Sequence, residues 1–263
     1  TLTDDTLEEL AETLVLTLLP TNDVIIAAPS QHTLTILAND FPQTQPGLIG
    51  WWRADDGVAT NAAGGVTNWV DRSGYGKAFV QTTESRCPVW LADAVNGKPA
   101  LRFDLTDDGM ASGLNVQAPY TVYLVYASQD PGSGPRRALQ GSNNWMLGPY
   151  YGRQRHYADG WVDDASLTVA TGRYVVCTAR NTGTASAFWV DGVNRTANAG
   201  ATGAPGILHL GGSGYCSGET LGGDIVEVLV YDRALSDAEL KLPGGALSTA
   251  YRIDTAYTPT VIT

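Results

Sequence analysis

Residues Gly223 to Leu240 read GDIVEVLVYDRALSDAEL, and the period of their apolar residues changes halfway along. In DIVEVLVYD, Val226, Val228 and Val230 are expected to line one face, and Ile225, Leu229 and Tyr231 the other. Apolar side chains on both faces mark a central strand between two packed layers. Beyond it, Ser236 and Glu239 have the Ser-x-x-Glu spacing of a capping box, in which each side chain satisfies a backbone N–H of the first helical turn. The pattern therefore predicts a short helix beginning near Ser236, with Pro243, Gly244 and Gly245 stopping it.

The rest of the chain supplies more strands of the same kind. ETLVLTLLP and HTLTILAND alternate apolar and polar residues up to turn formers. GLIGWWRA, AFVQTT, PALRFDL, YTVYLVYAS, WMLGPYY, YVVCTAR, SAFWVDGVNRT and GILHLGG are short β-rich runs closed by Gly, Pro, Asn or Asp. Asp191-Gly192 is a two-residue hairpin turn, since Gly accepts the positive φ of a type I′ turn. No strand–helix alternation appears, so a parallel α/β sheet is unsupported. FPQTQPG, Phe41 to Gly47, carries two prolines and no periodicity, as a linker does.

Composition agrees. The 263 residues include 30 Gly and 13 Pro with only 16% charged side chains, as expected of many short strands joined by turns. A net charge of −11 argues against nucleic acid, whose phosphates it would repel. No apolar run approaches the roughly 20 residues needed to span a bilayer, so membrane insertion is not expected. No signal peptide is read, and a first residue other than Met suggests a processed or excised piece of a longer product. Cys177 reads as a small buried hydrophobe. Cys87 and Cys216 both sit beside turn residues, which allows a disulfide that spacing alone does not establish.

Residues 47–253 resemble a concanavalin A-like jelly roll of the laminin-G-like type found in bacterial extracellular proteins. The carrying stretches are GLIGWWRADDGV, VTNWVDRSGYGKAFVQTTESRCPVW, VNGKPALRFDLTDDGM, YTVYLVYAS and GDIVEVLVYDRALSDAEL…STAYRI, in the family's order. The resemblance implies an all-β antiparallel sandwich of two curved sheets with one short C-terminal helix. It also implies an extracellular or cell-surface location.

Residues 1–41 resemble the last third of a Calx-beta domain, an immunoglobulin-like sandwich, through LTDDTLEELAETLVLTLLP…HTLTILAND. That resemblance implies Ca²⁺ ligands at Asp4, Asp5, Glu8, Glu9 and Glu12, with Asp40 at the domain's end. Such hard oxygen ligands suit calcium, and a solvated acidic loop is the alternative. The earlier strands of that domain are missing, and two or three strands do not bury a core alone. Residues 42–46 are then a linker, and 254–263 an extended tail or linker. The tail, Thr- and Val-rich, could donate a strand to a neighbouring copy.

Candidate ligand-binding residues concentrate in NNWMLGPYYGRQRHYADGW: Asn143, Asn144, Trp145, Tyr150, Tyr151, Arg153, Arg155, His156, Tyr157 and Trp161. Sugar sites need this mixture of apolar ring faces and planar donors. Trp51 and Trp52 are further rings of that type, and alternate positions such as Trp145 and Leu147 have the core as their alternative place. DLTDDG, Asp104 to Gly109, is another oxygen-rich turn of the kind a cation uses, with Asx-turns as the favoured reading.

Catalysis finds little support. No Glu-x-Asp-x-x-Glu string occurs, and Asp224 and Glu227 are expected on opposite faces of their strand. His32, His156 and His209 lie in unrelated strands. The sequence therefore reads as a non-enzymatic extracellular adhesion module whose partner is a glycan or other surface polymer. The alternative is a structural subunit of a filament, sheath or particle, partnered by copies of itself or by neighbouring domains. An enzyme appendage ranks last.

Overall fold

The structure, a computed structural model, describes residues 12–19, 26–36, 45–130, 132, 134–212, 214, 215 and 218–257. The chain forms two compact units, Thr1–Gln45 and Pro46–Thr263. In the first, β1 (Glu12–Thr17) and β2 (Gln31–Ile36) pair antiparallel, with Glu12 opposite Ile36 and Thr17 opposite Gln31. Leu14, Val15 and Leu16 are all exposed, so both faces of this ribbon carry uncovered apolar side chains. Asp4, Asp5, Glu8, Glu9 and Asp40 lie outside the described residues, and for Glu12 only the backbone is described.

The second unit consists of two eight-stranded sheets. The first runs β16 (Val193–Asn194), β15 (Ser186–Val190), β14 (Val175–Asn181), β10 (Tyr120–Ser128), β18 (Gly222–Tyr231), β8 (Lys98–Asp104) and β7 (Val89–Val95), with β3 (Leu48–Arg53) also paired to β18. The second runs β13 (Arg153–Ala158), β12 (Trp145–Tyr150), β11 (Leu139–Gly141), β17 (Gly206–Gly211), β9 (Gly109–Val116), β6 (Phe79–Val80), β5 (Val66–Trp69) and β4 (Val58–Thr60). Neighbours pair antiparallel throughout. Trp52, Leu124, Val228 and Val230 of the first sheet meet Phe79, Leu114, Trp145 and Leu208 of the second in one core. This is the all-β sandwich that the sequence predicts, consistent with a jelly roll.

β18 is buried along its whole length, as its two apolar faces require. Its alternation is broken, however. Val125 of β10 faces Glu227 while Tyr126 faces Ile225, which leaves Val226 as the extra residue of a bulge. Ile225 consequently joins Val228 and Val230 in the core between the sheets. Val226 instead joins Leu229 and Tyr231 in a second core on the sheet's outer face. The expected placing of Val226 and Ile225 is thus reversed. The same slip brings Asp224 and Glu227 to one face, against the expectation of opposite faces.

The outer core is closed by the helix α1 (Lys241–Tyr251), which contributes Leu247 and Tyr251. The capping box forms: Glu239 N–H donates to Ser236 Oγ (3.3 Å) and Ser236 N–H to Glu239 Oε2 (2.7 Å). Residues 237–240 are a turn that leads into the helix. Pro243, Gly244 and Gly245 do not stop it but lie in its first turns, where a prolyl ring is tolerated. Its end is Arg252, in the left-handed conformation at φ 51°. Asp191 (φ 50°) and Gly192 (φ 77°) make the expected type I′ turn. Part of the expected tail is fixed: Ala256 N–H donates to Asp191 O (2.8 Å), and buried Tyr257 donates to Thr178 Oγ1 (2.7 Å). Residues 258–263, and with them most of the tail proposed for strand donation, lie outside the described residues, as do 41–44 of the linker.

Candidate functional site

The hairpin β12–β13 turns at Tyr151 (φ 48°) and Gly152 (φ 70°), a type I′ pair that fixes its register. Trp145 lies opposite Ala158, Leu147 opposite His156 and Pro149 opposite Gln154. Trp145, Leu147 and Ala158 belong to the core between the sheets. Strand alternation then puts Tyr150, Arg153, Arg155 and Tyr157 on the outer face.

Two expected ligand-binding residues are therefore core residues. Trp145 is fully buried, packed edge-on to Tyr120 with its Nε1–H donating to Tyr120 Oη (2.8 Å). His156 is fully buried beside it, with Nδ1 2.9 Å from Met146 O. Burial pushes the imidazole down to about 4, so it is neutral at pH 7. Trp51 and Trp52 are buried as well.

The other rings gather. Tyr150 stands 4.9 Å from Tyr151 and 5.2 Å from Trp161, and Tyr157 lies 5.0 Å from Trp161, between ring centres. Tyr151, at the hairpin tip, is 54% exposed. Trp161 follows β13 and bridges back to Tyr157. Arg155 stacks on it, Cζ 3.7 Å from the ring centre, while its Nε donates to buried Asp163. Burial raises the Asp163 carboxyl and the arginine opposes that shift. The surface is thus a run of aromatic rings in a frame of ion pairs.

A part of this frame is invisible to the segment's own sequence. Arg137, before β11, donates through Nε to Glu219 and through Nη2 to Asn144 Oδ1 (3.1 Å), and lies 5.8 Å from the Tyr150 ring. Tyr150 donates to Glu219 Oε1 (3.4 Å). Glu219 comes 69 residues after Tyr150, with no local pattern to mark it. Asn143 is engaged elsewhere, donating to Ala204 O (3.0 Å). The expected group thus divides: Asn144, Tyr150, Tyr151, Arg153, Arg155, Tyr157 and Trp161 border one surface, while Trp145 and His156 do not reach it.

Three other carboxylate clusters are held by hydrogen bonds within the fold. Asp104 Oδ1 accepts from the N–H groups of Thr106 (2.8 Å) and Asp107 (3.3 Å), the expected Asx-turn. Its neighbour Asp108 is pushed up to about 6 by burial and by Asp104. Glu227 accepts from Trp51 Nε1–H and Tyr251 O–H, each at 2.6 Å. Asp224 accepts two hydrogen bonds from Arg102 (2.7 and 2.9 Å) and one from Tyr174 (2.6 Å). Cys87 is a free buried thiol, not half of a disulfide, and Cys216 lies outside the described residues. Among the described residues no helix is long and apolar enough to cross a membrane.

No family model and no curated protein matches the sequence. Solved structures do match the fold. Domain 4 of AbnA, a GH43 extracellular arabinanase from Geobacillus stearothermophilus in complex with arabinotriose, is similar over 73% of this chain and 96% of its own, at 15% identity and TM-score 0.53. Trypanosoma rangeli sialidase in complex with sialic acid is similar over 79% of this chain, at 15% identity and TM-score 0.54. The same sialidase with 2,3-difluorosialic acid is similar over 90% of this chain, at 14% identity and TM-score 0.55. This chain spans about a third of the sialidase's length. These proteins correct the expectation of a non-catalytic adhesion module, because these counterparts of the fold are parts of an arabinanase and of a sialidase. At such identities the likeness carries the fold: residues Pro46–Thr263 are a β-sandwich of the kind found in an arabinanase and in sialidases.

Proposed function

We propose that the sandwich is the carbohydrate-recognising part of a glycan-acting enzyme, and that it takes a sugar chain on the ring surface of Tyr150, Tyr151, Tyr157 and Trp161. The observation that carries this reading is the aromatic run itself, held rigid by a type I′ hairpin and by the Arg155–Trp161 stack. A pyranose or furanose presents an apolar face that stacks on such rings, while its hydroxyls take hydrogen bonds from neighbouring planar donors. The likeness to an arabinanase domain in complex with arabinotriose supports the ligand class, and that protein's extracellular description supports a place outside the cell. Under the same reading, β1 and β2 are the closing strands of a Calx-beta-like sandwich, supported by the exposed apolar residues on both faces of the pair.

Calorimetric titration with arabinotriose and with sialyllactose tests the site. Binding of either sugar, reduced by about 1–3 kcal/mol in Trp161→Ala or Tyr151→Ala by analogy with base stacking on aromatic rings, supports the surface. Binding unchanged in both variants, with the fold intact, removes it.

A further inference from the structure

We propose that this ring surface selects sugars carrying a carboxylate, with Arg153 as the residue that reads the charge; the inference rests on the glycan reading above. Arg137, Arg153 and Arg155 border the surface, in a chain that has 16 basic against 27 acidic residues. Two are already committed: Arg137 pairs with Glu219 and Arg155 with Asp163 (2.6 Å).

Arg153 is different. It is exposed, and among the described residues its side chain has no ion pair, hydrogen bond or ring contact. It is the first residue of β13 and lies opposite Tyr150, so the hairpin register holds its backbone beside the Tyr150–Tyr151 pair. The acid Asp164 is engaged in its own loop, where hydrogen bonds from Ser166, its N–H at 2.9 Å among them, lower its carboxyl and Arg155 adds to that shift. A sugar stacked on Tyr150 or Tyr151 therefore meets one uncompensated guanidinium. That fork matches a carboxylate with two parallel N–H···O bonds, which a neutral hydroxyl cannot accept with the same strength. A sugar acid, whether a terminal nonulosonic acid or a uronic acid within a chain, supplies that group. The position is on a strand rather than a loop, so the backbone that carries the charge is fixed relative to the Tyr150–Tyr151 pair.

The test pairs acidic and neutral sugars on the full chain at low salt. Sialyllactose is compared with lactose, and a galacturonate trisaccharide with arabinotriose, in wild type and Arg153→Gln. The expected result is at least tenfold tighter binding of an acidic member. Arg153→Gln should lose that factor. The acidic sugar that shows the effect identifies the source of the carboxylate. Equal binding of both members of each pair, or an acid preference that survives in Arg153→Gln, overturns the inference while leaving the glycan reading in place. Absence of binding by all four sugars removes both.

Discussion

Arg155 holds Trp161 and Asp163 at once: its guanidinium carbon lies 3.7 Å from the ring centre, and its Nε lies 2.6 Å from each Asp163 carboxylate oxygen. One cation therefore anchors a half-buried ring of the aromatic run to a carboxylate that is almost wholly buried. Arg155→Ala would leave Asp163 buried without its counter-charge, at a cost of about 3 kcal/mol, the low end for a broken buried pair. Chemical denaturation should show that loss. Arg155→Ala combined with Asp163→Asn should recover part of it, and an equally unstable double variant would show that the pair is not the cause.

Glu227 is expected to bind the outer core together. Glu227→Ala leaves the Trp51 indole N–H and the Tyr251 hydroxyl without acceptors in a buried place. Two lost partners at about 1–3 kcal/mol each suggest a severe drop in stability. Because Tyr251 ends α1, hydrogen exchange should rise first in that helix. Protection in α1 equal to wild type would count against this account.

Gly244→Ala is a test of close approach. Alanine favours a helix over glycine by about 1 kcal/mol. At this site, however, its Cβ would stand 2.3 Å from Tyr257 Cγ, and that ring is pinned by its bond to Thr178. The substitution should therefore destabilise wild type by about 1–3 kcal/mol, as overpacking does. In a Tyr257→Ala background the same change should become neutral or stabilising. Thermal melts of the four combinations read the reversal of sign directly.

The buried imidazole sets part of the acid response. His156 titrates near 4 in the fold and near 6.5 when unfolded, because burial disfavours its charged form. Between those values the unfolded chain binds the extra proton. His156 therefore contributes stability that is complete above pH 6.5 and is lost as pH falls towards 4, by at most about 3 kcal/mol. Asp108 works in the opposite sense: its raised value, about 6 against 3.8, gives stability that is present below pH 3.8 and lost as pH rises through 6. His156→Leu should flatten the histidine's part of the stability profile between pH 6.5 and 4.5, whatever its effect at pH 7. A slope identical to wild type would exclude the histidine as the source.

The sequence alone determined what depends on local chemistry. Apolar residues on both faces of residues 223–231 made β18 a central strand, Asp191-Gly192 made a hairpin, and Ser236 with Glu239 made a capping box. The likeness to a lectin-like sandwich was legible because its motifs follow one another along the chain. What spacing could not settle was phase and partnership. The bulge at Val226 arises where β10 changes its register against β18, so the strand's own letters do not mark it, yet it decides which face Asp224 takes. In the same way Trp145 and Trp161 looked alike in sequence. The inward phase of β12 buries the first beneath Tyr120, and the turn back to Tyr157 leaves the second at the surface. Glu219 and Arg137 meet only because β17 and the loop before β18 bring distant segments to one place. Pro243 and the two glycines, read locally as a stop, became a helix because its first turn tolerates proline and Tyr257 needs the space above Gly244. Local pattern marked the central strand, the hairpin and the capping box; the packing of elements far apart in the chain decided which side chains reach the surface.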